Sequence, residues 1–294
     1  MKSDVSGEDR SMKSKSAALL LCLAAVCSAE SGFFKTSDGT RIHYTDDGAG
    51  RALVFIPGWT MPAWIWQKQI DEFSKKYRVI AVDPRSQGES DKPNYGHLPE
   101  TRARDYKELV AHLGLEKPVL IGWSMGCGEL LKYAEQFGTT NLSGLVLVDG
   151  LLWDKPSPEI FAGMSGWMNQ LQEDRRKQAD GFVRSMYKKP QSEEYLKRVI
   201  DASVQVPMDT AALLIYDMIA VTDFSAGFAK VGVPLMFAYQ PGSQQTADLL
   251  KAKLGAKVRL ERFEGAGHAL FVDDAEKFNR VLEEFVRSPA VSVP

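Results

Sequence analysis

Hydrophobic positions in this chain follow two rhythms. Short, nearly continuous apolar runs stand at Ala52–Ile56, Tyr77–Val82, Val119–Ile121, Leu145–Val148, Leu235–Ala238 and Val258–Phe263. Runs of this kind predict strands buried on both faces. Between them the spacing turns helical, over Ala63–Lys76, Thr101–Leu113, Glu129–Phe137, Ala247–Leu254 and Ala275–Val286. Ahead of the series, Gly32 to Asp47 reads as two strands around the turn Ser37-Asp-Gly-Thr40. Strands alternating with helices predict an α/β fold, a mostly parallel doubly wound sheet covered on both faces. Active residues are then expected at the carboxyl ends of the strands.

The stretch from Gly150 to Val233 breaks this alternation. It carries Trp153, Phe161, Met164, Trp167, Met168, Leu171, Phe182, Met186, Tyr187, Leu213, Leu214, Tyr216 and Met218 on helical spacings, so it is no linker. Such a segment buries one face against the core, and its Met and Trp content suits an adaptable apolar pocket. The chain divides accordingly into a core, 30–150 with 232–288, and an inserted helical unit, 151–231.

Composition narrows the function classes. A chain of 294 residues with 44% hydrophobic content has ample material for one large core. A formal net charge of −2 gives no footprint for nucleic acid. The cysteines and histidines lack metal-ligand spacing, and the glycine-containing loops match neither the phosphate-loop nor the dinucleotide pattern, so no metal or cofactor is expected. The N-terminus differs from the rest. Met12-Lys-Ser-Lys15, then Ala17 to Val26, then Cys27-Ser-Ala29 form a basic, apolar and small-residue series, the layout of a secretory signal peptide over residues 1–29. Met12 is an alternative start, because the eleven residues before it are polar and mixed in charge. The apolar run is too short for stable membrane insertion. Cleavage after Ala29 would yield a periplasmic or secreted protein that retains Cys127 alone, with no disulfide possible within the mature chain. Val26 is a poor match for the small residue expected before a lipidated Cys27.

The chemistry centres on Gly122-Trp-Ser-Met-Gly126, where an apolar strand breaks into a helix. G-x-S-x-G in this setting is a nucleophile elbow: a turn too tight for side chains at the flanking glycines forces Ser124 into a strained conformation above the sheet edge. A serine hydroxyl needs a base. Of the four histidines, His43 lies in a hairpin strand, His112 on a helix face and His97 in a loop where a solvated histidine is the default. His268 remains. It stands in Gly265-Ala-Gly-His268-Ala, between the last strand and the last helix, where small residues let the side chain reach back over the sheet.

In order, the hairpin, Pro57-Gly58-Trp59, Asp83-Pro-Arg-Ser-Gln-Gly88-Glu-Ser90, Gly122-Trp-Ser-Met-Gly126 and Gly265-Ala-Gly-His268 resemble the α/β-hydrolase superfamily, from about Gly32 to Arg287. The resemblance is to its small capped esterases, lactonases and perhydrolase-like members. Ser124 argues against the epoxide hydrolases and haloalkane dehalogenases, which use Asp at the elbow. The resemblance implies that 151–231 is a cap roofing the active site after the sixth strand. It also implies an oxyanion hole from the backbone amides of Trp59 and Met125. The family more often has histidine where Pro57 stands. Proline removes a side-chain hydrogen bond that would hold the loop, and Trp59, Met61, Trp64 and Trp66 are expected to stiffen it by packing, two of the tryptophans as plain core.

The acid of the triad is the departure. Family members usually carry it after the seventh strand, but here Gln240-Pro-Gly-Ser-Gln-Gln-Thr-Ala-Asp248 offers no carboxylate before Asp248, already in the helix. The other family location is the end of the sixth strand, where Asp149 stands. Asp149 is the expected acid, with Asp248, Asp154 or no acid at all as alternatives. The expected function is that of a carboxylic-ester hydrolase acting on a small-molecule ester or lactone through an acyl-enzyme on Ser124. Perhydrolase or carbon–carbon bond hydrolase activity would use the same groups. A catalytically slow ligand-binding or sensor protein on the same fold is the alternative.

Overall fold

The computed structural model describes Met1 and residues 30–154, 158–218 and 222–292, with the side chains of Glu30, 159–161, 163–165 and Ser292 left aside. The expected signal peptide, and Phe161 and Met164 of the inserted unit, lie outside what is described.

Eight strands form one sheet in the order β1-β2-β4-β3-β5-β6-β7-β8. The strands are β1 (Glu30–Lys35), β2 (Arg41–Gly48), β3 (Ala52–Ile56), β4 (Arg78–Val82), β5 (Val119–Trp123), β6 (Gly144–Val148), β7 (Leu235–Tyr239) and β8 (Val258–Arg262). β1 and β2 are the antiparallel edge, while β3 to β8 run parallel. The apolar runs explain this placement: β3, β5, β6 and β7 are buried at every position. Alternate residues feed two cores. Val54, Leu120, Leu145 and Phe237 pack on one face, and Leu53, Phe55, Ile121 and Val146 on the other. Each such side chain contributes about 2 kcal/mol through burial. The registers Ile56↔Gly122 and Trp123↔Val148 bring the carboxyl ends of β3, β5 and β6 together.

Helices α1 (Gln67–Phe73), α2 (Pro99–His112), α3 (Met125–Phe137), α4 (Pro158–Glu173), α5 (Arg175–Ser185), α6 (Glu193–Val204), α7 (Met208–Tyr216), α8 (Ser225–Lys230), α9 (Gln244–Leu254), α10 (Leu270–Asp273), α11 (Ala275–Val286) and α12 (Pro289–Ser292) complete the chain. The helix expected over Ala63–Lys76 is two pieces, a 3-10 turn at Ala63–Trp66 and then α1. The tighter turn buries Ala63, Ile65 and Trp66 together, three of four consecutive residues, which one face of an α-helix does not allow. α3 begins at Met125 rather than Glu129, because the helix starts at the elbow itself. Helices α4 to α8 fall between β6 and β7, as the resemblance implied. The inserted unit is tied to the loop after β3, where the Trp59 indole donates to Ala211 O at 2.8 Å. No single described helix is long and apolar enough to cross a membrane.

Candidate active site

Ser124 follows the last residue of β5 and precedes the first of α3, with φ 56 and ψ −116. A non-glycine residue in that region costs on the order of 1–3 kcal/mol. The surroundings enforce it. A Cβ on Gly122 would meet Gly126 O at 2.5 Å, whereas one on Gly126 would approach Ile56 Cγ2 at 3.1 Å. The first glycine is therefore obligatory; the second is only tight, a softer requirement than the motif suggested. Asp149 (φ 47) and Thr60 (φ 59) also adopt left-handed backbone, so three of the five such non-glycine residues in the described chain cluster here.

His268 connects two of them. Its Nε2 lies 2.9 Å from Ser124 Oγ, and its Nδ1 lies 2.7 Å from Asp149 Oδ2. Asp149 is at the carboxyl end of β6 and its side chain is 1% exposed. Its second oxygen accepts the Gln240 amide at 3.1 Å. The loop after β7 thus supplies a donor to the acid rather than the acid itself. Asp248 and Asp154 are elsewhere: Asp248 accepts from Gln244 at 2.9 Å, and Asp154 pairs with Lys253 at 2.8 Å.

The histidine loop is itself pinned. Trp123, the residue before the serine, donates from Nε1 to His268 O at 3.0 Å and lies with its ring 5.2 Å from the imidazole. Asp273 accepts the Gly267 amide at 2.8 Å and the Lys188 amide at 2.7 Å, and Ala269 N donates to Met186 O at 2.9 Å. The inserted unit therefore holds the imidazole in place through the segment after α5.

Trp59 N and Met125 N have no acceptor among the described residues. The loop that carries Trp59 is also held by a polar group that the sequence reading did not single out. Gln87, fully buried, donates from Nε2 to Gly58 O at 3.0 Å and Met61 O at 2.7 Å, and its Oε1 accepts the Thr60 amide at 3.3 Å. The same Oε1 accepts Arg102 Nη2 at 3.0 Å, and Arg102 pairs with the equally buried Glu129 of α3. A chain of buried polar groups thus links the nucleophile helix to the loop opposite, taking over the role that Pro57 gives up. Packing does contribute, with Trp59 and Trp66 buried and Trp64 only partly so.

The other histidines divide. His97 is buried rather than solvated: burial and the charges of Arg102 and Arg85 hold its pKa below the ordinary value. His112 packs against Phe34 at 5.6 Å between ring centroids. His43 does what its strand position did not reveal. Its Nδ1 lies 2.7 Å from Asp83 Oδ2 and its Nε2 lies 2.6 Å from Ser31 Oγ. Cys127 is buried and free, and burial raises its thiol pKa well above the usual range. No group of three or more His, Cys, Asp or Glu able to hold a metal occurs among the described residues.

Comparison with known proteins agrees with the fold. A family model described as the alpha/beta hydrolase fold matches residues 51–196. A non-heme chloroperoxidase of Streptomyces lividans is 31% identical over 280 residues, covering 87% of this chain and 100% of its own length. A bifunctional esterase/perhydrolase of Acinetobacter calcoaceticus is 27% identical over 278 residues, covering 87% and 100%. Among solved structures, an esterase from Exiguobacterium antarcticum is similar at a TM-score of 0.81 with 27% identity, covering 87% of this chain and 99% of that one.

Proposed function

The chain belongs to the alpha/beta hydrolase family, and from that premise we propose that it is a serine hydrolase that cleaves small carboxylic esters or lactones through an acyl-enzyme. The observation that carries this reading is the single imidazole hydrogen-bonded to both Ser124 and Asp149. Ser124 Oγ attacks the carbonyl carbon as its proton passes to His268 Nε2. The resulting oxyanion is held by the amides of Trp59 and Met125, each donor contributing about 3 kcal/mol in the transition state. His268 then gives the proton to the leaving alkoxide as the carbon–oxygen bond breaks. Asp149 keeps the Nδ1–H tautomer and stabilises the imidazolium. Water, deprotonated by the same histidine, releases the acid and restores the serine.

A slow ligand-binding protein is favoured by the absence of an acid after the seventh strand; the contact of Asp149, after the sixth, with His268 Nδ1 supports the hydrolase instead. Two relatives, the esterase/perhydrolase and the chloroperoxidase, favour a second outcome at the same site, attack on the acyl-enzyme by hydrogen peroxide in place of water. Export and the roofing role of the inserted helices remain part of the proposal. The test is pre-steady-state release of p-nitrophenolate from p-nitrophenyl acetate. One equivalent is expected in a burst that disappears in Ser124→Ala. Absence of both burst and turnover across acyl lengths would overturn the reading.

A further inference from the structure

The loop after β3 meets the inserted unit at two consecutive residues. Trp59 donates from its indole to Ala211 O of α7 at 2.8 Å, and its ring lies 4.7 Å from Trp167 of α4 and 5.3 Å from Phe182 of α5, between centroids. Thr60 Oγ1 lies 2.8 Å from Ser203 Oγ of α6, and both residues are fully buried. Four helices of the inserted unit thus converge on one dipeptide.

The pattern of α6 shows why Ser203 is there. Its buried face carries Leu196, Val199, Ile200 and Ser203. That spacing is an apolar helix stripe whose last position holds a hydroxyl. Burying a hydroxyl is unfavourable unless it is hydrogen-bonded. Ser203 is bonded on both sides. Arg175, the first residue of α5, donates from Nη2 to Ser203 Oγ at 3.0 Å and to Ser203 O at 2.5 Å, while Thr60 shares the other bond. Arg175 Nη1 donates to Gln178 Oε1 at 2.9 Å, and its Nε has no acceptor. Its guanidinium lies 5.3 Å from the Trp59 ring centroid, so the arginine ties Ser203 to the same indole.

Thr60 faces this cluster with φ 59. A β-branched residue is a steric outlier in that region, whereas glycine adopts it freely. The hydroxyl accounts for threonine here, since it reaches Ser203. The core holds Thr60 by its amide, which donates to Gln87 Oε1 at 3.3 Å. The inserted unit holds it by its side chain. A shift of Thr60 carries the preceding residue with it, and with that residue the Trp59 amide assigned above to the oxyanion.

We propose that Ser203 and Thr60 are a positioning pair, through which docked α6 sets the Trp59 amide against the developing oxyanion. The pair acts on the loop and not on the substrate. This rests on the serine hydrolase reading and adds to it that oxyanion stabilisation depends on the inserted unit. A donor stabilises an oxyanion only when aimed at the place where it forms, and a misplacement of about 1 Å costs roughly 10²-fold in rate.

The test measures kcat and KM on p-nitrophenyl acetate for Thr60→Val, Ser203→Ala and the double variant, with kcat expressed per site titrated by the burst. Misfolding lowers the titre but leaves kcat per site unchanged. Each single substitution is expected to lower kcat about tenfold with KM within about twofold. The double variant should lose no more than the larger single loss, because both substitutions remove one bond. Thr60→Ser keeps the hydroxyl and should recover most of the rate. Turnover within about twofold of wild type, a loss confined to KM, or losses that multiply in the double variant would each overturn the pair. If Ser203→Ala does not fold, Thr60→Val against Thr60→Ser decides alone. Amide hydrogen exchange separates this from failure of the hydrolase reading. If the wild type shows no burst, faster exchange across residues 58–66 in the folded single variants upholds the hold of α6 on the loop. Exchange equal to wild type overturns it.

Discussion

Among the described residues two Ser–His–Asp chains have nearly the same bond lengths, and only one of them lies at the strained turn proposed as the active site. In Ser124–His268–Asp149 the two contacts are 2.9 and 2.7 Å; in Ser31–His43–Asp83 they are 2.6 and 2.7 Å. The serines differ in their setting. Ser124 sits at a strained turn before a helix of thirteen residues. Ser31 lies in the ladder of edge strand β1, opposite Thr45 of β2. The acids differ too. Asp83 is occupied in structure, accepting the Ala63 amide at 2.5 Å and the Glu89 amide at 3.0 Å. His43 N bonds Ser90 Oγ at 2.8 Å, which returns to Asp83 O at 2.5 Å. That second chain stitches the antiparallel edge to the loop carrying Gln87. On the proposed reading, matching side chains and distances do not by themselves make a nucleophile; strain at the serine and backbone donors for the oxyanion are needed as well.

Substitutions test this contrast, beginning with the largest effect. Asp149→Asn is expected to lower kcat by about 10⁴; near wild-type turnover on p-nitrophenyl acetate would mean that the imidazole needs no acid. Gln87→Leu should cost roughly 10²-fold in kcat with KM little changed, because it releases the loop that aims the Trp59 amide. An equal rise in KM with kcat preserved would instead make Gln87 a substrate-binding group. His43→Gln is expected to reduce stability in urea unfolding by about 1 kcal/mol, the worth of a hydrogen bond, while kcat stays within twofold. A large loss of turnover in the folded variant would erase the distinction between the two chains. Ser31→Ala should leave turnover unchanged, and a diminished burst would show that it reacts.

Much of this was legible in the sequence, and the remainder failed for a physical reason. The strand runs, the elbow and His268 are local patterns, and each was readable from periodicity or from a short motif. Asp149 came from the resemblance combined with what the loop after β7 lacked; the backbone donor Gln240 explains why that loop still belongs to the site. Gln87 stood inside a recognised motif, yet its role depends on contacts with Gly58 and Met61, far away in the chain. His43 lies in the hairpin strand expected of it, with partners the strand position did not show, while His97 was misjudged as solvated. A strand or loop position shows neither which carboxylate approaches from another strand nor whether two arginines close over the ring. Trp123 carried one signal, an aromatic residue beside the nucleophile, but only the return of the histidine loop gives its indole an acceptor. Orphaned donors such as Arg175 Nε are invisible without coordinates, since they are defined by what fails to reach them.

The most direct test of the central claim is labelling with an alkyl fluorophosphonate followed by peptide mass mapping. One phosphonyl group per chain is expected, located on Ser124, formed at a rate that collapses in His268→Ala. No adduct, or an adduct on Ser31 instead, would contradict the account.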